Sequence, residues 1–272
     1  MKHVLCLTLL ALLSVSIATA SESDDAKKGA ITGDSEAQIK LGRMYAVGSG
    51  VPKNDAQAVI WYRKAADQGR AEAQWLLGRM YADGQGIPQD DVQAVNWYRK
   101  AADQGYAQGQ YWLGTTYING IGVPQDIDEA VVWFRKAADQ GYADAQCFLG
   151  VIYISGLGGG RPDIDKAVIW FRKAADQGHA EAQNNLGKMY EAGRGVPQDD
   201  LLAYMWLCLA AAQDSKSYTK ARDLVSARLT PEQRAEGQKM AREWKPTPFT
   251  PTGEGDPTGE APSNQSRIHD HP

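Results

Sequence analysis

Few residues in this chain have types that could do chemistry alone, so their spacing decides what they do. Four histidines and three cysteines are present. His3 and Cys6 sit in an apolar amino-terminal stretch, and His269 and His271 flank Asp270 near the carboxyl end. A His-Asp-His run is at most a weak ligand set for a stray metal. Cys147 and Cys208 are an even pair, which in an exported chain invites a disulfide reading. Gly-x-Gly-x-Pro runs at Gly48 to Pro52, Gly84 to Pro88, Gly120 to Pro124 and Gly193 to Pro197 look like phosphate cradles. The Arg-Lys pairs at Arg63, Arg99, Arg135 and Arg172 could track a phosphate backbone.

The wider pattern removes most of these readings. Trp61, Trp97, Trp133, Trp170 and Trp206 are spaced by 36, 36, 37 and 36 residues, inside nearly identical words such as Ala94 to Gly105. A period of that size means a stacked array of small units. A true phosphate cradle follows a strand and occurs once, whereas the glycine loops recur in every unit. The Arg-Lys pairs fall in the last turn of a recurring helix, where its dipole favours cations. With 33 acidic against 29 basic residues, no basic excess supports nucleic-acid binding. His179 occupies the junction position that Tyr106 and Tyr142 hold elsewhere, and the acidic residues recur as caps rather than as a converging pair. Neither a catalytic residue, a metal site nor a cofactor is expected.

Five units are expected, at 34–69, 70–105, 106–141, 142–178 and 179–214. Each starts with a form of Ala-x-Ala-Gln-x-x-Leu-Gly-x-x-Tyr, as at Ala71 to Tyr81, with Gly-Gln in place of Ala-Gln in the third unit. Ala73, Leu77 and Tyr81 are four apart and share one helical face, giving helix A. The glycine loop follows and proline prevents resumption of the same helix. The fourth loop, Gly156 to Pro162, is one residue longer. Asn54, Asp90, Asp126, Asp163 and Asp199 then cap helix B. Gln57, Gln93 and Glu129 are placed to answer as capping boxes. Ala94, Trp97, Tyr98, Ala101 and Ala102 form the apolar stripe of helix B.

This grammar closely resembles the Sel-one-like repeat (SLR), a tetratricopeptide-like helical repeat, over residues 34–214. The resemblance implies an all-α, right-handed α-solenoid with helix A on the concave side, and a role in assembling protein complexes. Residues 215–244 read as a C-terminal capping helical pair, since Thr230-Pro231-Glu232-Gln233 is a capping box and terminal units need a polar outer face. Residues 21–33 read as a linker. Residues 245–272, rich in Pro, Gly, Thr and Ser, read as a disordered tail dispensable for folding.

Residues 1–20 have a signal-peptide pattern. Lys2 and His3 precede an apolar run too short to span a bilayer, and Ala18-Thr19-Ala20 offers a cleavage site. The mature chain is expected in the periplasm or secreted, without a membrane span. Cys147 on helix A of unit four and Cys208 on helix B of unit five lie too far apart in a helix stack to bridge, so both are expected as free thiols.

Function must lie where repeats differ. Helix B positions recur, but the two helix-A positions after Ala-Gln vary: Ile39 and Lys40, Trp75 and Leu76, Tyr111 and Trp112, Cys147 and Phe148, Asn184 and Asn185. Aromatic residues and arginine are enriched at binding hot spots. Trp75, Arg79, Tyr111, Trp112, Phe148, Asn184 and Lys188 are therefore the candidate partner-binding residues, set against packing between helices. The leading expectation is a non-enzymatic scaffold that binds a protein or peptide in the helix-A groove. The alternatives are a hydrolase or binder acting on β-lactam or cell-wall material, as the resemblance suggests for cysteine-rich family members, and a polysaccharide- or peptidoglycan-binding module.

Overall fold

The computed structural model describes residues 23–157, 160–213 and 216–249. Among these, every regular element is an α-helix. They run α1 (23–31), α2 (Ser35–Val47), α3 (Asp55–Asp67), α4 (Ala71–Asp83), α5 (Asp91–Asp103), α6 (Ala107–Asn119), α7 (Ile127–Asp139), α8 (Ala143–Ser155), α9 (Ile164–Asp176), α10 (Ala180–Ala192), α11 (Asp200–Ala211), α12 (Lys216–Ser226) and α13 (Pro231–Glu243). The chain forms two compact units, one ending at Ala137 and the other beginning at Ala138. In each, helix pairs stack in chain order: α2 on α3, α4 on α5, then α8 on α9 and α10 on α11.

The expected caps set the helix starts. Asn54, Asp90 and Asp163 each accept the backbone N–H three residues on, as does Asp126 from Glu129 N at 2.9 Å. Gly48, Gly84, Gly120, Gly156 and Gly193 end the first helices with φ between 62 and 80°, a left-handed turn that glycine adopts without penalty. Among the capping boxes, Thr230 and Gln233 close theirs reciprocally. Glu129 is different: its carboxylate accepts from Trp133 Nε1 at 2.8 Å. The indole of the apolar stripe needs an acceptor more than the already capped helix start does.

Three repeated contacts hold the stack, the first within a pair and the other two reaching a neighbouring pair. The aromatic residue after the tryptophan presses onto the helix-A glycine: a Cβ at Gly78 would lie 2.7 Å from the Tyr98 ring, and one at Gly42 2.5 Å from Tyr62. The glycine of Leu-Gly thus exists to let an aromatic ring reach the backbone. The buried glutamine of Ala-Gln reaches back, as Gln74 Nε2 donates to Ala66 O at 3.3 Å, and it accepts Gln104 Nε2 at 2.7 Å. Finally Arg99 donates to Tyr117 Oη at 2.6 Å and Arg172 to Tyr190 Oη at 2.7 Å, while Arg63 pairs with Tyr81 in the same way. The Arg-Lys pairs therefore do more than answer the helix dipole. The arginine ties one repeat to the next, and the lysine lies over the tryptophan ring, at 3.8 Å for Lys100 on Trp97 and for Lys136 on Trp133.

Two expectations need correction. The linker placed at 21–33 contains α1, whose Ala26 and Ala30 are buried. Gln38 Nε2 donates to Ala30 O at 3.2 Å, just as Gln74 does to Ala66. Lys27-Lys28-Gly29-Ala30 to Gly33 is a degenerate end of helix B, half a repeat that covers α2. The tail placed at 245–272 begins with residues that pack: Thr247 N donates to Asp176 O at 2.8 Å. The signal-peptide stretch 1–20 and tail residues 250–272 lie outside the described residues. Among the described residues no helix is long and apolar enough to cross a membrane.

Candidate functional site

In the first unit the candidate residues form two groups. Trp75 on α4 is half-buried; its ring packs tilted against Tyr106 at 5.9 Å, and the exposed Arg79 places its guanidinium 5.5 Å from the ring centroid. One turn spacing on a helix brings Trp75 and Arg79 together. Tyr111 and Trp112 on α6 meet edge-on at 5.8 Å. Each also reaches a second helix: Trp112 stacks on buried Tyr98 at 6.1 Å, and Tyr111 tilts against Phe134 at 5.6 Å. Both are half-buried, so each packs against a neighbouring helix while part of its surface stays accessible.

In the second unit Phe148 on α8 is half-buried and Lys188 on α10 is exposed. Asn184 is 4% exposed and its Oδ1 has no hydrogen-bond partner. It aligns with buried Ile39 and Cys147, so the first of the two variable positions turns inward wherever its side chain is small enough. Trp75 and Tyr111 are too large to do so completely.

Charge on the first-unit surface comes from residues that vary less obviously. Arg43 pairs with Glu72, and Arg70 donates to Glu36 Oε2 at 2.8 Å, linking α2 to the start of α4. Arg79 lies 4.0 Å from Asp83. Burial pushes the Tyr62 hydroxyl up to about 12, although Arg43 and Arg79 pull it back. Arg43, at the variable helix-A position that Arg79 and Lys188 also hold, borders Trp75 and Arg79 together with Glu72 and Tyr106, and the last two were not among the candidates read from the sequence. Their signal was available: Glu72 and Tyr106 also sit at helix-A starts, where Asp34, Arg70 and His179 show that the repeats differ.

In the second unit His179 caps α10 by accepting Ala182 N at its Nδ1, and its Nε2 faces Asp144 Oδ1 at 3.2 Å. Hydrogen bonding from His179 holds the Asp144 carboxyl below its usual range. This is the junction role that the repeat position implies. Burial pushes up the thiols of Cys147 and Cys208, both of which are unpaired. Among the described residues no group of His, Cys, Asp and Glu is arranged to hold a metal ion. The arrangement offers partly accessible aromatic rings on α4, α6 and α8, the cations Arg79 on α4 and Lys188 on α10, and ion pairs beside Arg79, which is the chemistry of recognition.

The model of the Sel1 repeat matches the chain five times, at 35–69, 71–106, 107–142, 143–179 and 180–215. The chain belongs to the Sel1 repeat family. The matched repeats fall within a residue or so of the boundaries read from the sequence, and the fold is the family's all-α helical solenoid. A Sel1 repeat protein from Oxalobacter formigenes is similar over 72% of this chain and 56% of its own, at 38% identity and a TM-score of 0.67. A protective antigen of uropathogenic Escherichia coli with an SLR fold matches over 83% of this chain and 56% of its own, at 31% identity and a TM-score of 0.55. This Sel1 repeat chain thus spans little more than half the length of either relative. A sel1 repeat protein from Klebsiella pneumoniae subsp. pneumoniae is 26% identical over 75% of this chain and 99% of its own, with a TM-score of 0.50. No curated protein matches the chain.

Proposed function

We propose that this Sel1 repeat protein is an exported, non-enzymatic scaffold that binds a protein or peptide partner on the surface of its first helices. Sel1 repeats generally serve protein–protein interaction, which fits the family assignment. The observation that carries the reading is the contrast between the two helices of each repeat. Second-helix residues recur and are consumed by packing, by the Arg–Tyr ties and by lysines lying on tryptophans. First-helix residues Trp75, Arg79, Tyr111, Trp112, Phe148 and Lys188 vary, and keep an edge or a charge toward solvent. Rigid aromatic area beside arginine is the composition of binding hot spots. Export rests on the basic start, short apolar run and Ala18-Thr19-Ala20 of the amino terminus. The partner would be of the protein class rather than nucleic acid, since the chain is mildly acidic.

The test compares the mature chain with Arg79→Ala and Lys188→Ala, two exposed changes that leave the core intact. Crosslinked partners recovered by the unaltered chain and lost by a variant of equal melting temperature support the reading. Hydrolysis of nitrocefin, or saturable binding of muropeptides in place of a protein, would replace it with a cell-wall function.

A further inference from the structure

Residues 244–249 do not continue α13. Trp244 closes that helix in an extended conformation, with φ −62° and ψ 139°. Its ring meets Trp206 edge-on at 6.1 Å. From there the chain crosses two repeat junctions of the second unit. Thr247 N–H donates to the Asp176 carbonyl at 2.8 Å. A Cβ on Gly178 would lie 3.8 Å from the Trp244 ring and 3.9 Å from Pro246 Cγ. A Cβ on Gly141 would lie 2.2 Å from the Phe249 ring, so that ring is seated where only a glycine backbone leaves room. Pro246 and Pro248 pre-set the segment and the residues before them to an extended form. A main-chain bond, prolines and one seated aromatic ring are the means by which extended proline-containing peptides dock.

The seat belongs to the repeat rather than to the carboxyl end. Gly69 and Gly105 have φ of 85 and 83°, against 87 and 92° at Gly141 and Gly178, yet a Cβ at either would meet nothing within 4 Å. Asp67 and Asp103 are exposed, whereas Asp176 at the corresponding position is half-buried. The strap itself remains shallow, since Lys245, Pro246, Thr247 and Pro248 are exposed. Shallow cover of this kind opens more easily than the core it lies on.

We propose that the junction edge of the second unit, from Gly178 to Gly141, is a docking site for an extended peptide that carries an aromatic residue three positions after a proline. Residues 244–249 are its occupant in cis, and a partner segment of that chemistry binds by displacing them. The site is separate from the first-helix surface, and its partner need not be the same.

The experiment uses the full chain and a fluorescein-labelled peptide with the sequence of residues 244–249. A Thr247→Pro, Phe249→Ala double variant loses the main-chain donor and the seated ring without touching the repeats. Anisotropy should show this variant binding the peptide at least tenfold more tightly than the unaltered chain. A peptide with alanine in place of its phenylalanine should lose at least tenfold. On the unaltered chain, excess peptide should speed hydrogen exchange of the Thr247 amide. Equal binding by the two proteins, binding indifferent to the phenylalanine, or exchange unmoved by the peptide would each overturn the proposal.

Discussion

Gln104 Nε2 donates to Gln74 Oε1 at 2.7 Å, while Gln74 Nε2 donates to the Ala66 carbonyl at 3.3 Å. One buried amide therefore joins the ends of two successive second helices. The same bonds recur at Gln38 with Gln68, Gln146 with Gln177 and Gln183 with Gln213. Gln74→Ala should cost ~2–3 kcal/mol, because it removes two hydrogen bonds made by a buried amide and opens a cavity. Gln104→Ala, on a more exposed partner, should cost ~1 kcal/mol. Urea denaturation of the two single variants and the double variant measures both, and a coupling near zero would show that the pair is incidental.

Trp112 stacks on Tyr98, so its removal carries a stability cost as well as any loss of binding. Trp112→Ala should lose ~1–3 kcal/mol and Trp97→Ala ~3–5 kcal/mol, since the latter is 8% exposed and fully committed to the core. Partner affinity should fall for Trp112→Ala but not for a Trp97→Ala sample held well below its melting temperature. Equal losses of stability would assign the Trp112 ring to packing alone.

Asn184 buries an oxygen with no partner where Ile39 and Cys147 stand in other repeats. Asn184→Leu keeps the approximate shape and removes the orphan, so the protein should gain ~1 kcal/mol. A gain in melting temperature with unchanged partner binding would remove Asn184 from the binding surface. A loss of binding in the stabilised variant would mark it as a residue kept for recognition.

Burial raises the Asp176 carboxyl from 3.8 to about 6, with Arg172 opposing the rise. The folded chain thus holds this proton more tightly than the unfolded one. The contribution to stability is full below pH 3.8 and is lost as pH rises through about 6. Asp176→Asn cannot ionise and should be more stable than the unaltered chain by about 1 kcal/mol at pH 7.5, after solvent screening of a half-buried group. At pH 3.5 the difference should vanish. Melting curves at the two values decide it, and a constant difference would show that Asp176 does not titrate in this range.

Cys147 is 3% exposed and Cys208 only partly covered. Burial raises both thiols, so neither presents much thiolate near neutral pH. Ellman titration of the native chain should label Cys208 first and Cys147 at least tenfold more slowly, whereas the urea-unfolded chain should give both at once. Absence of titratable thiol in the unreduced monomer would mean a bridge between them.

The sequence by itself determined the repeat, its two helices, their caps and the loops between them. Those follow from local rules: a period of 36, an acceptor side chain before each second helix, and glycine where the backbone turns left-handed. It also held the half-repeat at Lys27 to Gly33, but in a form too degenerate to stand out until Gln38 was seen to reach Ala30. Only the tertiary structure decided what the recurring polar residues do. Gln74, Arg99 and Lys100 look solvated on a helical wheel, and become a clamp, a tie to Tyr117 and a lid on Trp97 once the next helix arrives. The site divided along the same line. Periodicity separated variable from invariant positions, but a period of 3.6 does not say how deep a side chain sits. That depth depends on the neighbouring repeat, which buries Asn184, leaves Arg79 in water and leaves Trp112 partly accessible. Composition likewise marked 245–272 as unstructured, because six residues from Trp244 to Phe249 carry too little apolar area to fold alone. They pack because a preformed edge with a bare glycine was already there to receive Phe249.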